Sequence, residues 1–402
     1  MSRIFQTAKP SVAKGANVTA REVVDKAAQD LESNSTLDPE IRARLMLVLG
    51  SVHHQLGLYP QSLALLEKAR RLFDQHLGPD HPDSIRTAYE SVIPLRMQNK
   101  TTETESLLRD VVPRARRVLG PAHETTLGAL NQLGMLLHGL TREAEAEQVL
   151  VEALETARRA HGRESLVALR LMNNLSLVYK RQNRLAEAEK LLIELRDVRV
   201  RVSGPDHPQT IAVMVNLADV YSLMGRVEHA LTLLEKALSV ERRVLGSGHP
   251  EVLLTVGSVV DALLRLQRYA EAEPLAREEF VGRRASLGSE DPSTVSAMTD
   301  LGISFAGLER RAEAEKLLAE ALASRNGLRG TGRPVAESVV GMALLAARLG
   351  RKDTAMELLK DIRDGGMPTV EWRWTLDHPL LAPLQGDPRF EALAAEARKT
   401  AQ

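Results

Sequence analysis

Glycine recurs at Gly78, Gly120, Gly162, Gly204, Gly246, Gly288 and Gly330, a spacing of 42 residues at every step. A fixed period of this length restricts the chain to an array of one small supersecondary unit, because each copy can bury its apolar face only against the next. The unit reads most plainly between Gly204 and Gly246, GPDHPQTIAVMVNLADVYSLMGRVEHALTLLEKALSVERRVLG. Asp206, His207 and Pro208 initiate about four turns of apolar-periodic helix that end near Met224, Gly225 breaks the chain, and a second helix runs from about Val227 to Val244. The expected fold is all-α, a right-handed solenoid of stacked antiparallel helix pairs.

Helices that cross closely need small side chains at the crossing, and these recur at constant phase. Gly50, Gly134, Ser176, Ala218 and Gly302 occupy it in the first helix, and Ala146, Ala188, Ala230, Ala272 and Ala314 in the second, with Ala69, Ala153, Ala237 and Ala321 further on. Leu133, Leu175, Leu217 and Leu301 precede the small residue, and Tyr179 and Tyr221 follow it by three. The pattern Leu-Gly, aromatic, Ala, Ala resembles tetratricopeptide repeats. The 42-residue length is similar to the long repeats of kinesin light chain and related bacterial proteins. That resemblance covers residues 36 to 330 and implies a scaffold fold, which serves many partners.

Residues 1–18 are polar and aperiodic and are expected to be flexible; 19–330 form the repeat array, 331–364 an eighth, shorter pair turning at Gly350, and 365–402 a loop and capping helix. The segment 19–31 shares the phase of later second helices (Ala20 and Ala27 precede Ser62 and Ala69 by 42), so it is expected to dock as a half repeat. Val23, Val24 and Leu31 would leave an apolar edge there, open to self-association. Seven pairs follow. The second has Val92 and Val111 at small positions and Pro94 and Pro113 within its helices, which marks a weak or bent point; Pro274 is expected to interrupt the sixth pair. Trp372 and Trp374 fall in a stretch expected to be non-helical, before a last helix capped by Asp387 and Pro388.

Lys plus Arg and Asp plus Glu number 53 each, a balance that argues against a dedicated nucleic-acid binder, and the absence of cysteine excludes disulfides and thiolate chemistry. With no apolar leader and no run of 18 apolar residues, no membrane association and a cytoplasmic location are expected. His81, His123, His207 and His249 stand at first-helix starts, too far apart along a stack to share a metal ion, and are read as helix initiators. His53 and His54 are adjacent, so one is expected buried and the other exposed. The arginine pairs Arg70-Arg71, Arg116-Arg117, Arg158-Arg159, Arg242-Arg243 and Arg283-Arg284 sit near second-helix C-termini, where they complement the helix dipole; a basic ladder touching phosphates is the weaker alternative. The glycines of NGLRGTGRP lack a preceding strand and a Lys-Ser/Thr, so phosphate binding is not expected. No catalytic set, cofactor site or metal motif stands out from the repeat.

The expected function is a non-catalytic interaction scaffold that binds a peptide segment or partner domain in a concave groove lined by first helices. Both ends of the chain also resemble the repeat region that follows the catalytic domain of bacterial serine/threonine protein kinases, though the kinase motifs are missing, so a module working with a separate kinase is the alternative. Counting from the small position, the groove residues are Arg44, His54, Arg86, Tyr89, Arg96, Asn131, Arg170, Asn173, Asn174, Leu177, Lys180, Arg181, Asn216 and Asp219. Asn174 and Asn216 match the Asn-Leu phrase of the kinesin light chain repeats, and amides can hold an extended backbone. The arginines imply a partner with an acidic, partly apolar segment.

Overall fold

The structure, a computed structural model, describes residues 20–33, 37–328, 334–365, 367 and 369–399. No strand occurs among them. The chain divides into two compact units, Met1–Val178 and Tyr179–Gln402.

The first unit opens with α1 (Ala20–Ser33), followed by α2 (Pro39–Gln55) and α3 (Tyr59–His76), α4 (Pro82–Glu90), α5 (Val92–Met97) and α6 (Thr101–Val118), and α7 (Glu124–Gly139) and α8 (Glu143–His161); α9 (Leu166–Arg181) carries the chain from one unit to the other. Helix α1 packs on α2 as a half repeat. Ala27, Ala28 and Leu31 are buried with Phe73 and Leu66, and buried His53 bridges the two helices, one ring nitrogen 2.9 Å from Asp25 Oδ1 and the other 2.8 Å from the Leu49 carbonyl. The first helix of the second pair is broken at Ser91. Pro94 has no N–H to continue the ladder, and side chains take over part of it: Ser91 Oγ donates to the Thr87 carbonyl at 3.0 Å and Gln98 Nε2 to the Pro94 carbonyl at 3.1 Å.

The second unit continues with α10 (Leu185–Ser203), α11 (Pro208–Leu223), α12 (Val227–Leu245), α13 (Pro250–Arg265), α14 (Tyr269–Leu287), α15 (Pro292–Gly307), α16 (Arg311–Leu328), α17 (Pro334–Arg348) and α18 (Lys352–Asp364). Then come α19 (Thr369–Leu376), a 3-10 turn at Pro379–Leu384, and α20 (Pro388–Lys399). Two expectations are corrected here. Helix α14 passes through Pro274 unbroken, since an exposed proline one turn inside the helix forfeits a single hydrogen bond, to the Ala270 carbonyl. Trp372 and Trp374 lie within α19, which is helical because Trp372 and Leu376 bury one face in the core of α15, α17 and α18.

The alanine code is the core: Ala69, Ala146, Ala153, Ala188, Ala230, Ala237, Ala272, Ala314 and Ala321 are fully buried. At Gly134 an added Cβ would lie 2.5 Å from Leu150 Cγ, so the Leu150 side chain of the second helix occupies the space that a side chain on the first would take. The recurring glycines do other work. Gly204 closes α10 at φ 92°, and its carbonyl accepts the Thr210 hydroxyl at 2.8 Å, tying the end of one pair to the start of the next; Thr126 makes the same bond to Gly120. Helices α4, α7, α11 and α13 are capped as the histidine spacing predicts, while Asp291 caps α15. The Nδ1 atoms of His81, His123, His207 and His249 accept the N–H two residues on, at 3.1 to 3.2 Å. The 1–18 segment, the Thr19 cap and Gly330 lie outside the described residues.

A second 42-residue period appears only in the backbone. The turn between the two helices of each pair holds one residue in the left-handed region: Gly57, Asn99, Thr141, Asn183, Gly225, Gln267 and Glu309, with φ between 57° and 75°. Only two of the seven are glycine. The turn of the eighth pair uses Gly350 at φ 75°.

Candidate functional site

In the first unit the predicted groove residues lie on α2, α4, α5, α7 and α9. Several are already engaged from one pair to the next. Arg44 is exposed and donates to Asp83 Oδ2 at 3.3 Å, and Arg96 donates to Gln132 Oε1. Asn131 is buried and accepts from Asn174 Nδ2 at 2.8 Å, so these two amides hold each other. Tyr89 packs its ring against the backbone at Gly128, where a Cβ would sit 2.5 Å from the hydroxyl; burial raises its pKa, and the Arg170 guanidinium nearby works in the opposite direction. His54 is half-buried with its ring 5.9 Å from that of Tyr59, so it belongs to the hairpin interior more than to an open face. Asn173 and Leu177 are half-buried on α9. Arg86 and Arg170 differ from the rest: both are exposed, and neither makes an ion pair among the described residues.

In the second unit Lys180 donates to Asp219, so two predicted groove charges neutralise each other. Arg181 and Asn216 are half-buried on α9 and α11. On α13, Arg265 donates from Nε to Asp261 Oδ2 at 2.9 Å and lies over the Trp374 ring, 3.3 Å from its centroid; buried His378 comes within 3.9 Å of the same Asp261. The C-terminal α19 and the 3-10 turn after it therefore cover α13, a contact with no trace in the repeat pattern. Deeper in, Glu279 on α14 is buried at 2.8 Å from Arg283, and burial pushes its carboxyl up to about 7. Burial also raises Asp300 on α15 well above the usual carboxylate range, reinforced by the charges of Glu279 and Asp261.

Several of the recurring arginines at second-helix ends are paired. Arg116 meets Glu152, Arg117 meets Asp80, Arg242 meets Glu278 and Arg243 meets Asp206. A further row at the second-helix starts, Arg142, Arg226 and Arg310, reaches back to Glu105, Glu189 and Glu273 of the preceding pair. These contacts stitch neighbours together and neutralise part of the row a nucleic-acid ladder would need. No group of three or more metal-ligating side chains exists among the described residues, and no described helix is long and apolar enough to cross a membrane.

Tetratricopeptide repeat profiles match residues 125–197, 167–243 and 251–327, residues 42–83 and 95–125, and residues 299–368. No curated protein matches the chain by sequence. Among solved structures, a Rap protein complexed with competence and sporulation factor is similar, with 13% identity, a TM-score of 0.58, and coverage of 90% of this chain and 97% of that one. The apo form of the quorum sensor NprR from B. thuringiensis has 14% identity, a TM-score of 0.59, and coverage of 90% and 96%. The nearly identical TPR-like repeats of a putative kinesin light chain from Podosopora anserina show 22% identity and a TM-score of 0.47 over 52% of this chain and 99% of that one. At such identities the likeness concerns the fold alone. With three repeat profiles together spanning most of the helix pairs, and alanines of the repeat code fully buried in them, the chain belongs to the tetratricopeptide repeat family.

Proposed function

We propose that this repeat array is a non-catalytic protein-interaction scaffold that receives an acidic, partly apolar peptide segment, alone or presented by a partner domain, on the first-helix face of its N-terminal unit. A repeat array of this kind supplies surface rather than chemistry. The observation that carries the reading is the pair Arg86 and Arg170. On a surface where many arginines are bridged to a carboxylate of their own chain, these two are exposed and make no ion pair among the described residues, and Arg170 acts on the ring of Tyr89. An unpaired guanidinium next to a half-buried aromatic offers a carboxylate a fork and its apolar neighbour a ring, and Arg86 adds a second positive charge on a first helix. Asn173, Leu177 and the Asn131–Asn174 amide pair extend the same face. Lys180 contributes less than its charge suggests, because Asp219 holds it.

The test is capture of the native partner from cell extract, then its affinity for the wild type and for Arg86→Glu combined with Arg170→Glu. Both positions are exposed, so the far-ultraviolet circular dichroism should not change. A loss of at least tenfold, roughly 1.4 kcal/mol, is expected. Unchanged affinity would move the binding surface off this face.

A further inference from the structure

In the second unit, the turns that end α9 and α11 face the C-terminal α19 across a cavity of about 670 Å³. That volume lies within the range of sites that enclose small ligands or a few residues of a peptide. Its walls include the side chains of Arg181, Arg265, Arg373 and Trp374, with Leu223, Met224, Val227 and Pro379 between them.

Two buried donors in this lining, on Arg265 and Trp374, have no acceptor among the described residues. Arg265 has a side chain only 6% exposed, its Nε is taken by Asp261, and its Nη2 is buried without a partner. Trp374 stacks on the same guanidinium, and its indole Nε1 is likewise buried without a partner. A buried donor left unmade costs roughly 1–3 kcal/mol, so such a pair in one cleft marks a place for an acceptor. With Arg373 adding a positive charge and Asp377 the only carboxylate of the lining among the described residues, an anionic acceptor suits the site. The apolar residues between the arginines call for an apolar group beside the anion.

We propose that this cleft is an oxyanion site that takes the carboxylate of a short acidic peptide segment, with a flanking apolar side chain against Leu223, Met224 and Val227. Arg265 Nη2 and Trp374 Nε1 donate to the carboxylate, Arg373 supplies the field, and Asp261 holds Arg265 in position through its Nε. The site goes beyond the scaffold reading above, since it lies in the other unit and uses neither Arg86 nor Arg170. Phosphate shares the oxyanion chemistry and is distinguished by the test.

The chain has two tryptophans, Trp372 and Trp374, both on α19, so intrinsic emission reports on this cleft directly. The full chain would be titrated with three probes: a capped tetrapeptide with a leucine-flanked glutamate, the same peptide with glutamine, and inorganic phosphate, with calorimetry in parallel. Expected are a saturable emission change with the glutamate peptide, at least tenfold weaker binding of the glutamine peptide, and at least tenfold weaker binding of the glutamate peptide by Arg373→Gln. Arg86→Glu with Arg170→Glu should leave the titration unchanged, which separates this site from the proposed partner face. Equal binding of both peptides, retention of full affinity by Arg373→Gln, or absence of heat and emission change would overturn the proposal. Saturation by phosphate that the glutamate peptide cannot displace would overturn its peptide part.

Discussion

Replacing Gly225 by alanine isolates the energy of one backbone conformation. Gly225 sits in the turn between α11 and α12 at φ 75°, its N–H donates to the Ser222 carbonyl at 3.0 Å, and the next N–H, from Arg226, donates to the Tyr221 carbonyl at 2.8 Å. A Cβ added there would meet nothing within 4 Å, so no steric contact contributes. What remains is the left-handed conformation, which costs a residue with a side chain about 1–2 kcal/mol. The stiffer unfolded chain of the alanine variant offsets roughly 0.4–1 kcal/mol of that. The net loss should be about 1 kcal/mol, or roughly 2–4 °C for a unit of this size. The converse change, Thr141→Gly, starts from a β-branched residue held at φ 59° at the same turn position and should gain about 0.5–1 kcal/mol. Asn99→Gly should gain almost nothing, because asparagine tolerates this region. Thermal melts followed by circular dichroism, checked by calorimetry for each unit's transition, would rank the three variants. A melting temperature unchanged by Gly225→Ala, or equal gains from Thr141→Gly and Asn99→Gly, would refute the argument that the turn conformation sets the cost.

Two further outcomes follow from the caps and the core. His207→Ala removes the Nδ1 acceptor of the Gln209 N–H and should destabilise the C-terminal unit by about 1 kcal/mol in urea unfolding, while His207→Asn, which restores an acceptor, should recover most of it. Glu279 is pushed from its ordinary 4.5 up to about 7 by burial, against the pull of Arg283 at 2.8 Å. Its folded state therefore holds the proton more tightly than its unfolded state. That contribution is complete below about 4.5 and is lost as pH rises through about 7, so the urea midpoint of the wild type should fall between pH 5 and 8, and Glu279→Gln should flatten the slope.

Residue order alone determined the array. Small residues are obligatory wherever two helices touch, so Gly134, Ala188 and Ala230 advertise the crossings, and glycine advertises the positive φ that ends each pair at Gly120 or Gly204. The histidine caps were legible for the same reason, since the bond from Nδ1 spans two residues. The inter-helix turn shows where such signals fail. It needs the same left-handed backbone seven times, yet Thr141, Gln267 and Glu309 adopt it because the helices on either side over-determine the chain, and so leave no mark in the composition.

The candidate site was legible as a face and not as a set of interactions. Counting from the small position places Arg86, Arg170 and Lys180 on first helices, but it cannot say that Lys180 is neutralised by Asp219 or that Asn131 is occupied by Asn174, because those partners are 39 and 43 residues away. Only the tertiary structure could bring Arg181, Arg265 and Trp374 around one cavity, since they come from three helices, α9, α13 and α19, far apart in the sequence. A helix turn or a cap is decided by neighbours in sequence, whose geometry the residue types dictate. A buried donor without an acceptor is decided by everything that packs around it, and that depends on where distant segments come to rest.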